Sequence, residues 1–274
     1  MKTHFWKYEG AGNDFVLLDC RGTNFRPSEE FIRTICCRRT GVGADGAMVL
    51  TESGTCDFAM HYYNADGPEA TMCGNGGRCI AWFADLLGIG GDTKTFEAVD
   101  GMHTAEILSR EGNTARVRLQ MVNVDRVVVD KEGDVLLDTG SPHLVRFVEG
   151  LDMDVVGVGS ALRYGHKCAP TGGANINFVE VLGEGRLSLR TYERGVEDET
   201  LACGTGATAA AIATCHTLQP TVCRFDLAAR GGDLVVEFAH RPDTDTYTDI
   251  YLTGPARMVF HGEVEVSDEE GAMV

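Results

Sequence analysis

The sequence predicts an α+β fold of two similar pseudo-symmetric domains, each a mixed β-sheet around a central helix. Three observations predict it. Most of the chain reads as short strands, two helices are apolar around nearly all of their circumference, and the segments that enter those helices match each other. At 274 residues and 43% hydrophobic content, the chain can bury one large core or two modest ones.

Strands come first. Period-two or β-branched runs occur at FVLLD (15–19), DFAMHYYN (57–64) and HTAEILS (103–109). TARVRLQ, DVLLDT, INFVEV, RLSLRTYE, LVVEF, DIYLT and ARMVFHGEVEV continue the pattern. Turn clusters at 52–55, 110–113, 130–134, 183–185 and 241–246 separate them, the layout of mixed or antiparallel sheets. Helices are fewer. A surface helix is predicted over SEEFIRTICCRR (28–39), with Ser28 as N-cap and two glutamates in the first turn. RCIAWFADLL (78–87) and ATAAAIATCHTL (207–218) read as helices buried on nearly all sides.

The two buried helices are entered alike. YNADGPEATMCGNGGRCIA (63–81) and YERGVEDETLACGTGATAAA (192–211) share a strand-ending tyrosine, an acidic turn and Cys-Gly-x-Gly at a helix start. A fainter echo joins GAGNDFVLLD (10–19) to GGANINFVEV (172–181). The expected domains are residues 1–121, joined by the C-terminal segment 261–274, and residues 122–260. Their Cys-Gly-x-Gly turns are expected to face each other across a cleft.

Composition narrows the function. A formal net charge of -17, from 41 acidic against 24 basic residues, leaves no basic patch for phosphates, so nucleic acid is not an expected partner. The start MKTHFWKYEGAGNDF has no apolar run of a signal peptide, and no stretch approaches the roughly 18 apolar residues that span a bilayer. A cytoplasmic protein without a membrane partner is expected. Its ten cysteines then act as thiols rather than disulfides. Zinc-type pairs are missing from the sequence, so no metal is expected. Cys20, Cys36, Cys37, Cys56, Cys79, Cys168, Cys215 and Cys223 are expected to be small buried hydrophobes. GVGADG (41–46) also spells G-x-G-x-x-G, but it precedes the strand-like AMVL and reads as a turn, with no nicotinamide implied.

Cys73 and Cys203 remain. At a helix start, glycines let the backbone approach closely and first-turn amides point outward without intrahelical acceptors. Such a turn suits a substrate carboxylate, and the helix dipole lowers a thiol pKa from about 8.5 toward the operating range. Taken singly, each turn is equally well explained by tight packing of helix on strand; a matching turn in each half favours chemistry. Inverting a stereocentre without a cofactor needs a base on one face and an acid on the other. Two equivalent thiols provide this, one as thiolate and one as thiol, and their titrations belong to the pair. The expected reaction is therefore cofactor-independent racemisation or epimerisation of an amino acid, with the turn amides stabilising the charge that develops on the carboxylate.

KYEGAGNDFVLLD, GVGADG, YNADGPEATMCGNGGRC, GSPH, ANINFV and YERGVEDETLACGTG resemble the signature segments of the diaminopimelate epimerases, over residues 7 to about 260. The resemblance implies curved, barrel-like sheets and interconversion of LL- and meso-diaminopimelate, without pyridoxal phosphate, on the way to lysine and peptidoglycan precursors. It makes Cys73 and Cys203 the acid–base pair and sets the amides of Gly74, Asn75, Gly204 and Thr205 on the reacting carboxylate. Asn13, Asn64, Asn175, Glu193 and Arg194 would hold substrate, Arg194 as a fork for a carboxylate and Glu193 on an ammonium. His143 stands near the thiols, and with Glu193 it is a candidate for tuning their pKa. The implied partner is diaminopimelate itself, and a homodimer is compatible with the sequence. Three departures from the family pattern bear on substrate contacts: Ser141 replaces asparagine before Pro-His, Gly46 replaces the glutamine of some members, and VEDET (196–200) is one residue longer than VGET. The alternatives are another isomerase on this fold, such as a proline or hydroxyproline racemase, and a redox-responsive binding protein whose two thiols form a reversible disulfide.

Overall fold

The computed structural model describes residues 2–23, 25–265 and 271–273. It divides into two compact units, Met1–Leu119 with Pro255–Val274, and Gln120–Gly254. The divisions fall after residues 119 and 254, where the sequence suggested 121 and 260. The return of the C-terminal segment to the first unit is described as far as Glu265; residues 266–270 and 274 lie outside the described residues.

In the first unit, strands Lys2–Gly10 and Asn13–Asp19 form a hairpin whose turn places Ala11 and Gly12 at positive φ (53° and 83°). Asn13–Asp19 runs parallel to Gly46–Thr51, which turns back antiparallel along Phe58–Asn64. Phe58–Asn64 carries the short strand Glu69–Ala70 and then runs parallel to Thr93–Ala98, and two antiparallel steps add Gly101–Glu111 and Thr114–Gln120. The later part of strand Thr246–Glu265 pairs with Lys2–Gly10, and Asn113 exchanges hydrogen bonds with Met258 (2.7 and 2.8 Å). These pairings close the sheet into a barrel.

The second unit repeats the sequence of pairings. Val135–Asp138 and Pro142–Phe147 are antiparallel, Pro142–Phe147 is parallel to Asn175–Gly183, and Asn175–Gly183 is antiparallel to Arg186–Glu193. Arg186–Glu193 carries the short strand Asp198–Thr200 and runs parallel to Arg224–Ala229, after which Gly232–Arg241 and the first part of Thr246–Glu265 follow antiparallel. Val127–Val129 pairs with Val135–Asp138, and Met121 N donates to Ile250 O (2.8 Å), closing this sheet as well. The duplication read from the cysteine segments is thus carried by the whole topology. It also corrects the fainter echo: Asn175–Gly183 occupies the place of Gly46–Thr51, and the counterpart of Asn13–Asp19 is Pro142–Phe147. The echo arose because both segments are a glycine turn followed by a β-branched strand, a purely local likeness.

Among the described residues, four α-helices sit in matching places. Helix α1 (Glu29–Cys36) joins the first parallel pair; Ser28 Oγ accepts from Phe31 N (3.1 Å), and the helix stops three residues before the predicted end because Cys37 is extended. It packs Phe31, Ile32 and Ile35 onto the sheet against Val16, Leu18 and Val49. Helix α2 (Gly74–Leu86) is buried from Gly74 to Ala84. Helix α3 (Val155–Arg163) is the counterpart of α1 and was not predicted, since VVGVGS is rich in glycine and β-branched residues. Packing overrides that propensity: Asp154 caps Gly157 N (2.9 Å), and Val155 joins a core of Leu144, Ile176, Phe178 and Tyr192. Helix α4 (Gly204–Thr217) is the counterpart of α2, buried at nearly every position from Gly204 to Cys215. Both buried helices start at the residue after the cysteine, three to four residues earlier than predicted. Three of the eight bystander cysteines depart from expectation: Cys37 is exposed, and Cys56 and Cys223 are partly exposed. No helix among the described residues is long and apolar enough to cross a membrane.

Alanines 207, 209, 210, 211 and 213 of α4 are all 0% exposed, so the surrounding sheet leaves room for a methyl group and no more. Ala210→Leu is expected to cost about 1–3 kcal/mol, read as a lower urea midpoint with unchanged slope; an unchanged midpoint would show slack around α4.

Candidate active site

Cys73 and Cys203 occupy the same place in their units. Each is the N-cap of the buried helix, in extended backbone (φ -90°, ψ 132° and φ -113°, ψ 113°), a conformation that lets an N-cap side chain turn toward the first-turn amides. At Cys203 the contact is made: Gly206 N donates to Sγ (3.4 Å). Only glycine fits at 206, because a Cβ there would lie 2.4 Å from Asn177 Oδ1.

In the first unit, Cys73 Sγ donates to Asn13 Oδ1 (3.6 Å), which also accepts from Asn75 Nδ2 (3.3 Å). The orientation of Asn13 is set by its other end, where Nδ2 donates to Asp45 Oδ2 (2.6 Å). Asp45 lies in GVGADG and is locked by Arg38, which also binds Asp14 (2.8 Å) beside Lys7 (2.7 Å). These two cations hold the Asp14 carboxyl well below the usual range, against the opposing effect of burial. The motif read as a mere turn therefore orients a site residue. Beneath the turn, Arg78 is 0% exposed and donates to Gly74 O (3.1 Å), Asn75 Oδ1 (2.9 Å) and Pro255 O (3.4 Å). Its guanidinium holds acceptors of the turn from beneath. Burial pulls its own pKa down. Asn64 ends its strand opposite Gly46 and is exposed.

In the second unit, the residue in Arg78's place is Thr208, whose hydroxyl donates to Gly204 O (3.1 Å). One turn thus rests on a buried cation and the other on a neutral hydroxyl. His143 is buried, pairs with Asn175 across the parallel strands, and accepts from Asn177 Nδ2 at Nδ1 (3.0 Å). Asn177 is itself oriented by Thr191 Oγ1 on its Oδ1 (3.0 Å) and by Leu144 O on its Nδ2 (3.2 Å). The proton of His143 is therefore on Nε2, which contacts Ser141 Oγ (3.1 Å). Ser141 Oγ also accepts from Asn175 Nδ2 (3.2 Å) and donates to Thr205 Oγ1 (3.4 Å), and Thr205 Oγ1 lies 3.4 Å from Cys203 Sγ.

Asn175 is 5% exposed, and its Oδ1 accepts from Arg194 N (2.8 Å), so both ends of its amide serve the site's own framework. Arg194 is half-buried with one contact to Gly173 O (3.4 Å), and among the described residues no carboxylate pairs with it. Glu193 accepts from Thr200 Oγ1 (2.8 Å). Within VEDET, Glu197 stands at φ 59°, and its carboxylate gathers Gly195 N (3.0 Å), Arg163 Nε (3.1 Å), Tyr164 (2.9 Å) and Tyr192 (3.1 Å) and is drawn down to about 2, against burial, by those donors. Elsewhere in this unit Asp130, Glu132 and Asp134 converge as metal ligands would, but Lys167 Nζ sits among them, 2.5 Å from Asp130 and 2.7 Å from Glu132. Sequence reading missed Ser141 as a hydrogen-bonding centre, and Asp45, Arg78 and Asn177. Only Arg78, a charge within the buried stretch of α2, gave a local signal.

Burial pushes the His143 pKa down from 6.5 to about 3, and the nearby Arg194 adds to it. An unfolded histidine binds a proton below about pH 6.5 while the folded one stays neutral, so the unfolded state is favoured as pH falls from there toward about 3. The loss is at most about 1.4 kcal/mol per pH unit and is absent above neutrality. Urea unfolding of His143→Gln against wild type is expected to show the mutant's relative stability improving on acidification; parallel curves would mean the imidazole takes up a proton in place.

Comparison with known proteins agrees with this architecture. The family described as Diaminopimelate epimerase matches residues 5–127 and 135–259. A diaminopimelate epimerase of Flavobacterium psychrophilum is 44% identical over 257 residues, covering 93% of this chain and 97% of its own. That of Chlorobaculum tepidum is 43% identical over 263 residues, covering 93% and 98%. Among solved structures, a Bacillus anthracis phenazine biosynthesis protein of the PhzF family shares the fold at TM-score 0.74 and 15% identity, covering 97% of this chain and all of that one. A hydroxyproline epimerase from Agrobacterium vitis does so at 0.70 and 15%, covering 96% and 91%. With a family match over most of its length and relatives above 40% identity, this chain belongs to the diaminopimelate epimerase family.

Proposed function

We propose that the protein interconverts LL- and meso-diaminopimelate by moving one proton at the α-carbon, with Cys73 and Cys203 as the acid–base pair. The observation that carries the proposal is the repeated one: each unit of a family member places a cysteine at the N-cap of a buried helix, above amides that have no intrahelical acceptor. A thiolate takes the α-proton, and the electron pair left behind is drawn into the carboxylate. The amides of Gly74, Asn75, Gly204 and Thr205 would hold that charge. The opposite thiol returns a proton to the other face, so the pair ends with its charge exchanged and nothing is oxidised or reduced. Arg194 and Glu193 supply the opposite charges needed to hold the distal carboxylate and ammonium, supported by the unpaired guanidinium among the described residues. Asn13, Asn64 and Asn175 would line the site, Asn13 and Asn175 chiefly as positioning groups. The chemistry asks for no cofactor. A reducing, cytoplasmic setting and a place in lysine and peptidoglycan precursor synthesis go with this reading.

In deuterium oxide the enzyme is expected to incorporate α-deuterium into LL-diaminopimelate and to convert it to the meso form. Cys73→Ser and Cys203→Ser should each lower kcat/KM for inversion by about 10²–10⁴-fold. No α-exchange in the wild type would remove the reaction, and a single mutant inverting at full rate would remove the pairing.

A further inference from the structure

The turn that carries Glu193 and Arg194 is closed by a residue in a conformation that glycine takes more readily. Glu197 stands at φ 59°, in the left-handed region, where a Cβ is strained. Its carboxylate offsets that strain. Oε1 accepts from Gly195 N (3.0 Å), two residues back in the same turn, and from Arg163 Nε (3.1 Å), with Arg163 Nη2 at 3.1 Å. Oε2 accepts from Tyr164 Oη (2.9 Å) and Tyr192 Oη (3.1 Å). Burial opposes ionisation of the group, but the donors prevail and keep it charged down to about 2. The backbone closes the same turn, Glu197 N donating to Glu193 O (2.9 Å). Both contacts bracket Arg194 in the chain.

Arg163 reaches the other side of Arg194. It is the last residue of α3 and mostly buried, and its Nη1 also donates to Gly172 O (3.2 Å). It lies so close over Gly173, at φ 97°, that no side chain fits there. Gly173 O in turn accepts from Arg194 Nη1 (3.4 Å), while Asn175 Oδ1 accepts from Arg194 N (2.8 Å). One guanidinium, that of Arg163, therefore ties the loop that touches the head of Arg194 to the carboxylate that fixes its backbone.

We infer that Glu197, clamped by Arg163, is a positioning residue that holds the turn 193–197 so that the guanidinium of Arg194 is preorganised for the distal carboxylate of the substrate. The inference deepens the proposed role of Arg194 and rests on it. A guanidinium on a long side chain gives up rotamer freedom when it grips a carboxylate. Fixing its backbone and one of its nitrogens beforehand lowers that cost. Proton transfer takes place at the other end of the substrate, so the effect of Glu197 belongs in KM rather than in kcat.

Kinetics and hydrogen exchange on the full-length protein test this. Glu197→Gln keeps the shape and removes the charge, and Glu197→Gly removes the carboxylate but suits the left-handed backbone. Each should raise KM for LL-diaminopimelate about tenfold and leave kcat within about twofold. Arg163→Lys, which keeps a charge but not the planar fork, should do the same. In an Arg194→Ala background neither Glu197 variant should add to the loss, because the group it positions is gone; a purely structural role would give additive losses. Without substrate, deuterium uptake at the amides of residues 195–197 should quicken about tenfold in all three variants, with uptake across α4 unchanged. An unchanged KM, a loss in kcat instead, additive losses or unchanged uptake in the turn overturns the inference. Absence of α-exchange in the wild type would remove the epimerase reading instead, with deuterium uptake still deciding whether Glu197 holds the turn.

Discussion

Everything functional here depends on a helix sealed inside a closed sheet. Such a helix can offer nothing from its sides, where α4 is packed by alanines and α2 by residues up to the size of tryptophan. What it can offer is one end, where the first amides lack intrahelical partners and the dipole is positive. Placing a cysteine as N-cap puts a nucleophilic, ionisable atom at the one place where the interior of each unit has chemistry to give. The contacts around the two turns come from the ends of neighbouring strands: Asn13, with Asp45 behind it, in one unit, and Ser141, with His143 and Asn175 behind it, in the other.

A duplicated scaffold need not be chemically symmetric. The pairing order of the strands is the same in both units, yet the groups beneath and beside the two cysteines differ in charge and polarity. Arg78 beneath one turn corresponds to Thr208 beneath the other, and where an amide oxygen lies beside Cys73 a hydroxyl lies beside Cys203. The proposed two-thiol reaction, which returns to its starting state only after the sulfurs have exchanged a proton, does not require them to be identical. It requires their proton affinities to be close enough that either can act.

The cysteine turns were legible because the signal is doubled: Cys-Gly-x-Gly after a strand-ending tyrosine occurs twice, and one occurrence supports the other. The buried helices were legible from their apolar circumference, although their first turns were not, since glycine-rich starts such as GNGG and GTGA look like loops until a cap is recognised. Helix α3 was hidden because VVGVGSALR has the composition of a strand, and only its contact with Tyr192 and Ile176 decides otherwise. Asp45 could not be assigned from GVGADG, since the amide it orients is 32 residues away and only the parallel pairing brings them together. Ser141 was noticed as a departure from family pattern, but the direction of its proton depends on the accounting of four neighbours that no local pattern encodes.

The strand Thr246–Glu265 belongs to both units, and the first unit is therefore discontinuous, built from the beginning and the end of the chain. During synthesis the second unit has all its strands once residue 254 has emerged, whereas Lys2–Gly10 must wait with an open edge until the last strand arrives. The unit translated first is finished last. Its exposed edge in the interval is a site for unwanted pairing, and the delay is built into the order of the chain rather than into any one residue.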